Sequence, residues 1–128
     1  MNIESDVLVL VLPLPPSVND FYGCTAPVAH RVIKYVKTVG KEYKRLVAEY
    51  VTLNQFDVHS NIPLRVEIIF NYATAHRQDI DNRLKCLLDA LTEAGVYEDD
   101  SLIYDLHVIR GVIGKPGGCV VRISEWVD

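Results

Sequence analysis

This sequence predicts an α/β chain of the mixed α+β kind, with a small mixed β-sheet and two main helices. Three patterns carry that expectation. Over residues 62–72 apolar and polar side chains alternate: Leu64, Val66, Ile68, Phe70 and Tyr72 point one way, and Arg65, Glu67 and Asn71 the other. That is the period of a half-buried strand. From about Thr38, and again from about residue 80 to 94, apolar residues recur at spacings of three and four, the period of an amphipathic helix. Short β-branched runs near both ends of the chain supply the remaining strands.

Taken in order, "DVLVLVL" (6–12) has the length and β-branched content of a fully buried strand. "PLPPS" stops it, because Pro15 and Pro16 cannot donate to a ladder. Residues 17–30 read as an irregular surface loop, and "RVIKYV" (31–36) as a short strand. The first helix buries Tyr43, Leu46, Val47, Tyr50 and Val51, with Lys41, Lys44, Arg45 and Glu49 on its other faces. The second carries a stripe of Ile80, Leu84, Leu87, Leu88 and Leu91 and stops at Gly95, a suitable left-handed C′ residue. "LIYDLHVI" (102–109) and "CVVRISEW" (119–126) form strands, and the glycines of "GVIGKPGG" between them predict a hairpin.

Length and composition bound the function. At 128 residues, 49% hydrophobic and 23% charged, the chain is expected to fold as one domain spanning 1–128. No apolar run is long enough for a bilayer and no secretory leader is visible, so a cytoplasmic protein with no membrane partner is expected. The three cysteines, Cys24, Cys86 and Cys119, are far apart and form no C-x-x-C pair; zinc is not indicated and reduced, structural thiols are expected.

The net charge of −4 argues weakly against a nucleic-acid partner, but its distribution is uneven. Residues 31–45 hold Arg31, Lys34, Lys37, Lys41, Lys44 and Arg45 against the single acid Glu42, whereas carboxylates crowd 79–105. Such a basic run suits a phosphodiester, with Lys37 and Lys41 as candidate contacts; a solvated helix face explains it equally well. Within the acidic stretch, Asp79 can cap the second helix and Asp81 can sit in its first turn, where the dipole favours negative charge. Asp81, Lys85 and Asp89, four apart, fall on one helix face. On a cleft wall, carboxylates with a lysine among them suit Mg²⁺ and a phosphate; on an open surface they form a weak ion ladder. Spacing leaves both readings open.

The block "D-I-D-N-x-x-K…D-A-L-T-x-A-G-V-Y-x-D-D" resembles the signature of the RusA family of Holliday-junction resolvases. The amino-terminal "L-P-L-P-P-S-V-N-D-F-Y" resembles the same family's opening motif, and the likeness runs from about Leu8 to Glu125. The resemblance implies a homodimeric endodeoxyribonuclease, dependent on Mg²⁺ with Mn²⁺ as a substitute, that resolves four-way DNA junctions by paired nicks. It carries catalytic and metal-binding roles onto Asp79, Asp81 and Asp100, and a catalytic, DNA-facing role onto Lys85. Asn82 and Asn19 would lie at the DNA, and Asp99 would shape the turn before Asp100. Arg77 is the only fixed charge in "TAHRQ", where relatives can be strongly basic, and is the candidate phosphate contact there. Asp20 is acidic within the opening motif, and Leu88 stands where some relatives carry an aromatic.

Other groups are read as structural: His76 as a loop histidine, Asp105 and His107 as neighbours on a strand face, and "GVIGKPGG" as a loop lacking the P-loop pattern. Trp126 and Tyr97 are too few to stack bases. Two other readings compete with the resolvase. One is a non-cleaving module that binds branched DNA or a protein through the same fold. The other is a scaffold domain whose acids only cap helices and shape turns. Dimerisation also follows from the chemistry, since paired cuts call for two sites related by a two-fold axis.

Overall fold

The computed structural model describes residues 7–18, 22–24, 34–54 and 60–128. Its element order is β1 (Leu8–Leu12), β2 (Tyr22–Cys24), β3 (Lys34–Val36), α1 (Thr38–Leu53), β4 (Leu64–Asn71), α2 (Leu84–Glu93), a 3₁₀ turn (Asp100–Leu102), β5 (Ile103–Arg110) and β6 (Gly118–Glu125). The mixed α+β expectation is met: a four-stranded sheet, ordered β1-β6-β4-β5, carries both helices. A separate ribbon pairs β2 with β3, so the stretch expected to be an irregular loop contains a strand.

The core lies between the helices and one face of the sheet. Leu8, Leu10 and Leu12 of β1, Leu64, Val66, Ile68 and Phe70 of β4, and Cys119, Val121 and Ile123 of β6 point into it. Tyr43, Val47 and Val51 of α1 and Cys86, Leu87, Ala90 and Leu91 of α2 close it from the other side. The strand β1, expected to be buried on both faces, alternates instead, with Val9 and Val11 exposed. It is an edge strand, and nothing among the described residues covers the outer face of the sheet there. The Tyr50 hydroxyl accepts from the Val11 N–H at 3.1 Å, satisfying part of that edge.

The expected hairpin of β5 with β6 does not form. Both flank β4, β5 in parallel and β6 antiparallel. The connection β4–α2–β5 is a helical crossover, the kind of link a parallel pair needs. The 111–117 segment then steps over the end of β4: Gly111 N–H donates to Phe70 O, Val112 N–H to Asn71 Oδ1, and Gly114 N–H to Tyr72 O. A Cβ at Gly111 would stand 2.0 Å from Asn71 Oδ1, so a larger residue there would have to displace the Asn71 side chain that accepts from Val112 N–H. Turn-forming residues announce a reversal but not which strand the chain pairs with after it.

Candidate active site

The acidic turn leaves the C-terminal end of β4 and enters α2. Asn82 N–H donates to Asp79 O and Leu84 N–H to Asp81 O, both at 3.1 Å, so two tight turns precede a helix that begins only at Leu84. Arg83 occupies the capping position, without a side-chain cap, and the first helical turn holds no acid. The expected capping by Asp79, and the place of Asp81 in the first turn, are therefore replaced by backbone turns. Asp and Asn favour such turns because their short polar side chains tolerate the conformation. Ile80, assigned to the apolar stripe, stands 38% exposed in this turn. The carboxylates of Asp79 and Asp81 are exposed, and no hydrogen bond or ion pair engages them among the described residues.

Two arginines hold this turn through the residue just before Asp79. Arg83 Nε donates to the Gln78 side-chain oxygen at 3.0 Å, and Arg110, the last residue of β5, donates to the Gln78 backbone oxygen. The Arg110 guanidinium also lies over the Tyr72 ring, 5.3 Å from its centroid. The amino-terminal motif docks on the same turn. Val18 N–H donates to Asn82 O at 3.0 Å, and Arg83 Nη1 reaches Pro15 O. Thus the opening motif and the Asp79–Arg83 turn, far apart in sequence, are joined by one backbone hydrogen bond and one from the Arg83 side chain. Asn19 and Asp20 lie outside the described residues.

Along α2, Lys85 Nζ stands 3.4 Å from Asp89 Oδ2, so the lysine leans toward the later turn of the helix. Asp89 is half-buried, and its carboxyl is raised above the usual range by desolvation first, then by the charges of Asp100 and Glu93.

The second acidic turn is held by a Schellman motif. Gly95, at φ 80°, donates to Thr92 O and Val96 N–H to Leu91 O, both at 3.1 Å, as the sequence's Gly95 stop requires. Tyr97 is buried, its hydroxyl donating to Leu88 O at 3.0 Å, while Ser60 bridges Val96 O and Glu98 N–H. Ser101 Oγ donates to Asp99 Oδ2 at 2.7 Å, and this hydroxyl, ahead of other contributions, holds the Asp99 carboxyl low. Asp100 opens the 3₁₀ turn with an exposed side chain, and the turn packs back on α2 beside Asp89.

The structure therefore brings Asp100 to Asp89, Lys85 to Asp89, and the opening motif to Asp79–Asn82. Among the described residues, no three His, Cys, Asp or Glu side chains converge closely enough to hold a metal ion. The donor set nevertheless has the character a divalent cation needs. Asp79, Asp81 and Asp100 offer exposed, hard oxygen donors, and Asp89 and Asp100 repel each other in a way a cation would relieve.

The basic run is partly neutralised. Lys44 pairs with Glu93 at 2.6 Å, tying α1 to α2, and Arg45 grips Glu42 and Glu49. Lys37 and Lys41 lie at the start of α1 and, like Arg77, are exposed, while Arg31 lies outside the described residues. On the outer sheet face, His107 Nε2 meets Asp105 Oδ1 at 2.9 Å. Gln78, Arg83 and Arg110 are what sequence reasoning missed. Arg83 had a signal in its place inside the motif, whereas Arg110 had none, because only the β5 register brings it to the turn.

A mixed sheet with two helices, a lysine among carboxylates and a proline-rich segment docked beside them suit an enzyme acting on phosphodiesters. The family model described as Endodeoxyribonuclease RusA matches residues 21–124. The chain is 34% identical over 115 residues to the crossover junction endodeoxyribonuclease rusA of Enterobacteria phage HK97, covering 90% of this chain and 92% of that protein. It is 31% identical over 119 residues to the RusA enzyme of Escherichia coli O139:H28 (93% and 95% covered). To that of Escherichia coli K12 it is 30% identical over 116 residues (91% and 92% covered). The chain belongs to the RusA family of endodeoxyribonucleases. No described helix is long and apolar enough to cross a membrane.

Proposed function

We propose that this chain resolves four-way DNA junctions as a homodimer, with Asp79, Asp81 and Asp100 holding Mg²⁺, or Mn²⁺ in its place. The observation that carries the reading is the state of Asp79 and Asp81: two exposed carboxylates released from capping, on a turn tethered from both sides. The helix does without these acids as caps, which leaves both carboxylates open to a cation.

A bound divalent ion supplies the Lewis-acid chemistry that activates water and stabilises charge growing on a phosphate. The chain's own residues do the rest. Asp79 and Asp81 present oxygen donors from a fixed turn, and Asp100 brings a third from the returning 3₁₀ turn. Lys85 sets a positive charge between the two turns, where it orients a phosphate oxygen. Asn82 offers an amide at the same turn, Arg77 a guanidinium just ahead of it, and Lys37 and Lys41 a basic approach from α1. Asn19, next in the opening motif after Val18, is assigned to the DNA as well. A two-fold dimer then sets two such sites against two strands of like symmetry.

The test compares a labelled synthetic four-way junction with linear duplex of the same sequence. Paired, symmetric nicks in the junction alone, abolished by EDTA, with a dimer by light scattering, are expected. Junction binding without cutting under any divalent ion would favour the non-cleaving module instead. A monomer both with and without junction DNA would contradict the two-fold arrangement.

A further inference from the structure

We infer that Arg110 and Arg83, acting through Gln78, are positioning residues that fix the Asp79–Asp81 turn, from which the two carboxylates would reach a metal ion; this rests on the functional reading above. Apart from the Val18 N–H bond to Asn82 O, the turn has little else to hold it. It follows the end of β4 and precedes a helix that starts at Leu84, so neither a ladder nor a helical hydrogen bond fixes Asp79. Its own hydrogen bonds, Asn82 N–H to Asp79 O and Leu84 N–H to Asp81 O, shape it without anchoring it to the sheet.

The anchor comes from Gln78, and both its acceptors are occupied. The side-chain oxygen takes the Arg83 Nε–H at 3.0 Å, and the backbone oxygen takes an N–H from Arg110. Each arginine is itself fixed by a second contact. Arg83 also reaches Pro15 O on the opening motif, and the Arg110 guanidinium lies over the ring of Tyr72, which is buried and stacked on Phe70 with centroids 6.1 Å apart. Core packing at the end of β4 is thereby passed to the residue preceding the first acid. Planar guanidinium groups suit this task, because a fork of fixed donors aims in two directions while the plane stacks. The same contacts turn Arg110 away from a simple role in gripping DNA, since its donor is directed at a backbone carbonyl.

The test uses the full chain with Arg110→Met, Arg110→Lys and Gln78→Met. Mn²⁺ affinity without DNA is read by electron paramagnetic resonance, and single-turnover nicking of a four-way junction is read across a Mg²⁺ titration. Junction affinity in Ca²⁺, its salt dependence and the melting temperature are read beside them. Loss of a group that orients metal ligands from behind typically costs about 10-fold or more in affinity or activity. Arg110→Met is therefore expected to weaken Mn²⁺ binding and raise the Mg²⁺ half-saturation point by roughly that factor, with junction affinity and its salt slope unchanged. Gln78→Met, which keeps the backbone contact, is expected to give a smaller shift in the same direction. Arg110→Lys keeps a donor without the planar stack, so it should recover part of the loss; it carries the test if Arg110→Met is too unstable to assay.

Wild-type metal affinity in both Arg110 variants would overturn the inference while leaving the functional reading intact. Weakened junction binding with a salt slope reduced by about one would also overturn it, by making Arg110 a phosphate contact. A wild-type chain that binds no Mn²⁺ and cuts no junction would overturn the functional reading and this inference together.

Discussion

Replacing Gly95 with alanine tests how the second acidic turn is held. Gly95 sits at φ 80° immediately after α2, where its N–H and that of Val96 close the helix on Thr92 O and Leu91 O. An L-residue in this conformation costs about 1–2 kcal/mol, because its Cβ crowds the following carbonyl. The chain has an alternative, to fray the end of the helix and escape the strain. Fraying forfeits two hydrogen bonds at about 1 kcal/mol each. It also exposes Val96, fully buried against Leu91, at a further cost of about 1.5–3 kcal/mol. The strained, folded form is the cheaper of the two, so Gly95→Ala should keep the fold and lose about 1–2 kcal/mol. In urea, with a slope of about 2 kcal/mol per molar, the midpoint should fall by about 0.5–1 M at unchanged slope. Gly95→Asn should cost less, since asparagine enters this region more readily. The sign refutes or sustains the reasoning: at a right-handed position, Gly→Ala stabilises by about 0.4–1 kcal/mol. A raised midpoint would mean that Gly95 is not a left-handed cap and that the Asp99–Asp100 turn is built in another way.

Other outcomes follow from the same structure. Cys86 and Cys119 are buried and should resist iodoacetamide at pH 8 in the native protein and label fully in urea, as read by peptide mass spectrometry. Burial pushes the Cys119 thiol from 9.0 up to about 12. Because the folded value is raised, that stabilisation is complete below pH 9.0 and is lost as pH rises toward about 12. Cys119→Ala should therefore show a shallower alkaline fall in melting temperature. Asp89 is also raised, by desolvation and then by Asp100 and Glu93, so its ionisation opposes folding. Compared with Asp89→Asn, the wild type should lose stability as pH rises through the carboxylate range, and a constant difference in melting temperature would contradict that. Finally, Lys44→Met breaks the 2.6 Å pair with Glu93 that links the helices and should cost no more than about 1 kcal/mol, less in high salt.

What could be read from sequence was whatever a local period or a turn residue encodes. The β4 alternation from Leu64 to Tyr72, most of the buried face of each helix and the Gly95 stop stand as the pattern required, whereas Leu46 and Ile80, expected in those faces, are 37% and 38% exposed. Pairing was less legible. The glycines of 111–118 announce a reversal, yet β6 passes over β4 to its far side and leaves β5 at the edge, a choice made by core burial and not by turn chemistry. The outer face of β1 was misjudged because a β-branched run looks alike whether one face is covered or two. At the site, the resemblance to the family's signature made Asp79, Asp81, Lys85 and Asp100 candidates, and spacing alone left their role open. Spacing also suggested that Asp79 caps the helix, which the turn at 80–83 replaces. The Arg110 contact to Gln78 crosses 32 positions and depends on the β4–β5 register, so no local pattern contains it.

If the acids at the head of α2 hold the ion that drives cutting, Asp81→Asn takes one of its donors away. The substitution keeps size and shape, removes one charge, and touches no described hydrogen bond of the Asp81 side chain. The measurement is the single-turnover nicking rate of a four-way junction in Mg²⁺, beside junction affinity in Ca²⁺, for wild type and Asp81→Asn. Mg²⁺-dependent cutting by the wild type is expected, with a fall of about 100-fold or more in the variant and binding that is kept or strengthened as repulsion from the phosphates is relieved. Cutting at the wild-type rate by Asp81→Asn would contradict metal binding by these acids and return the carboxylates of this turn to the protein surface.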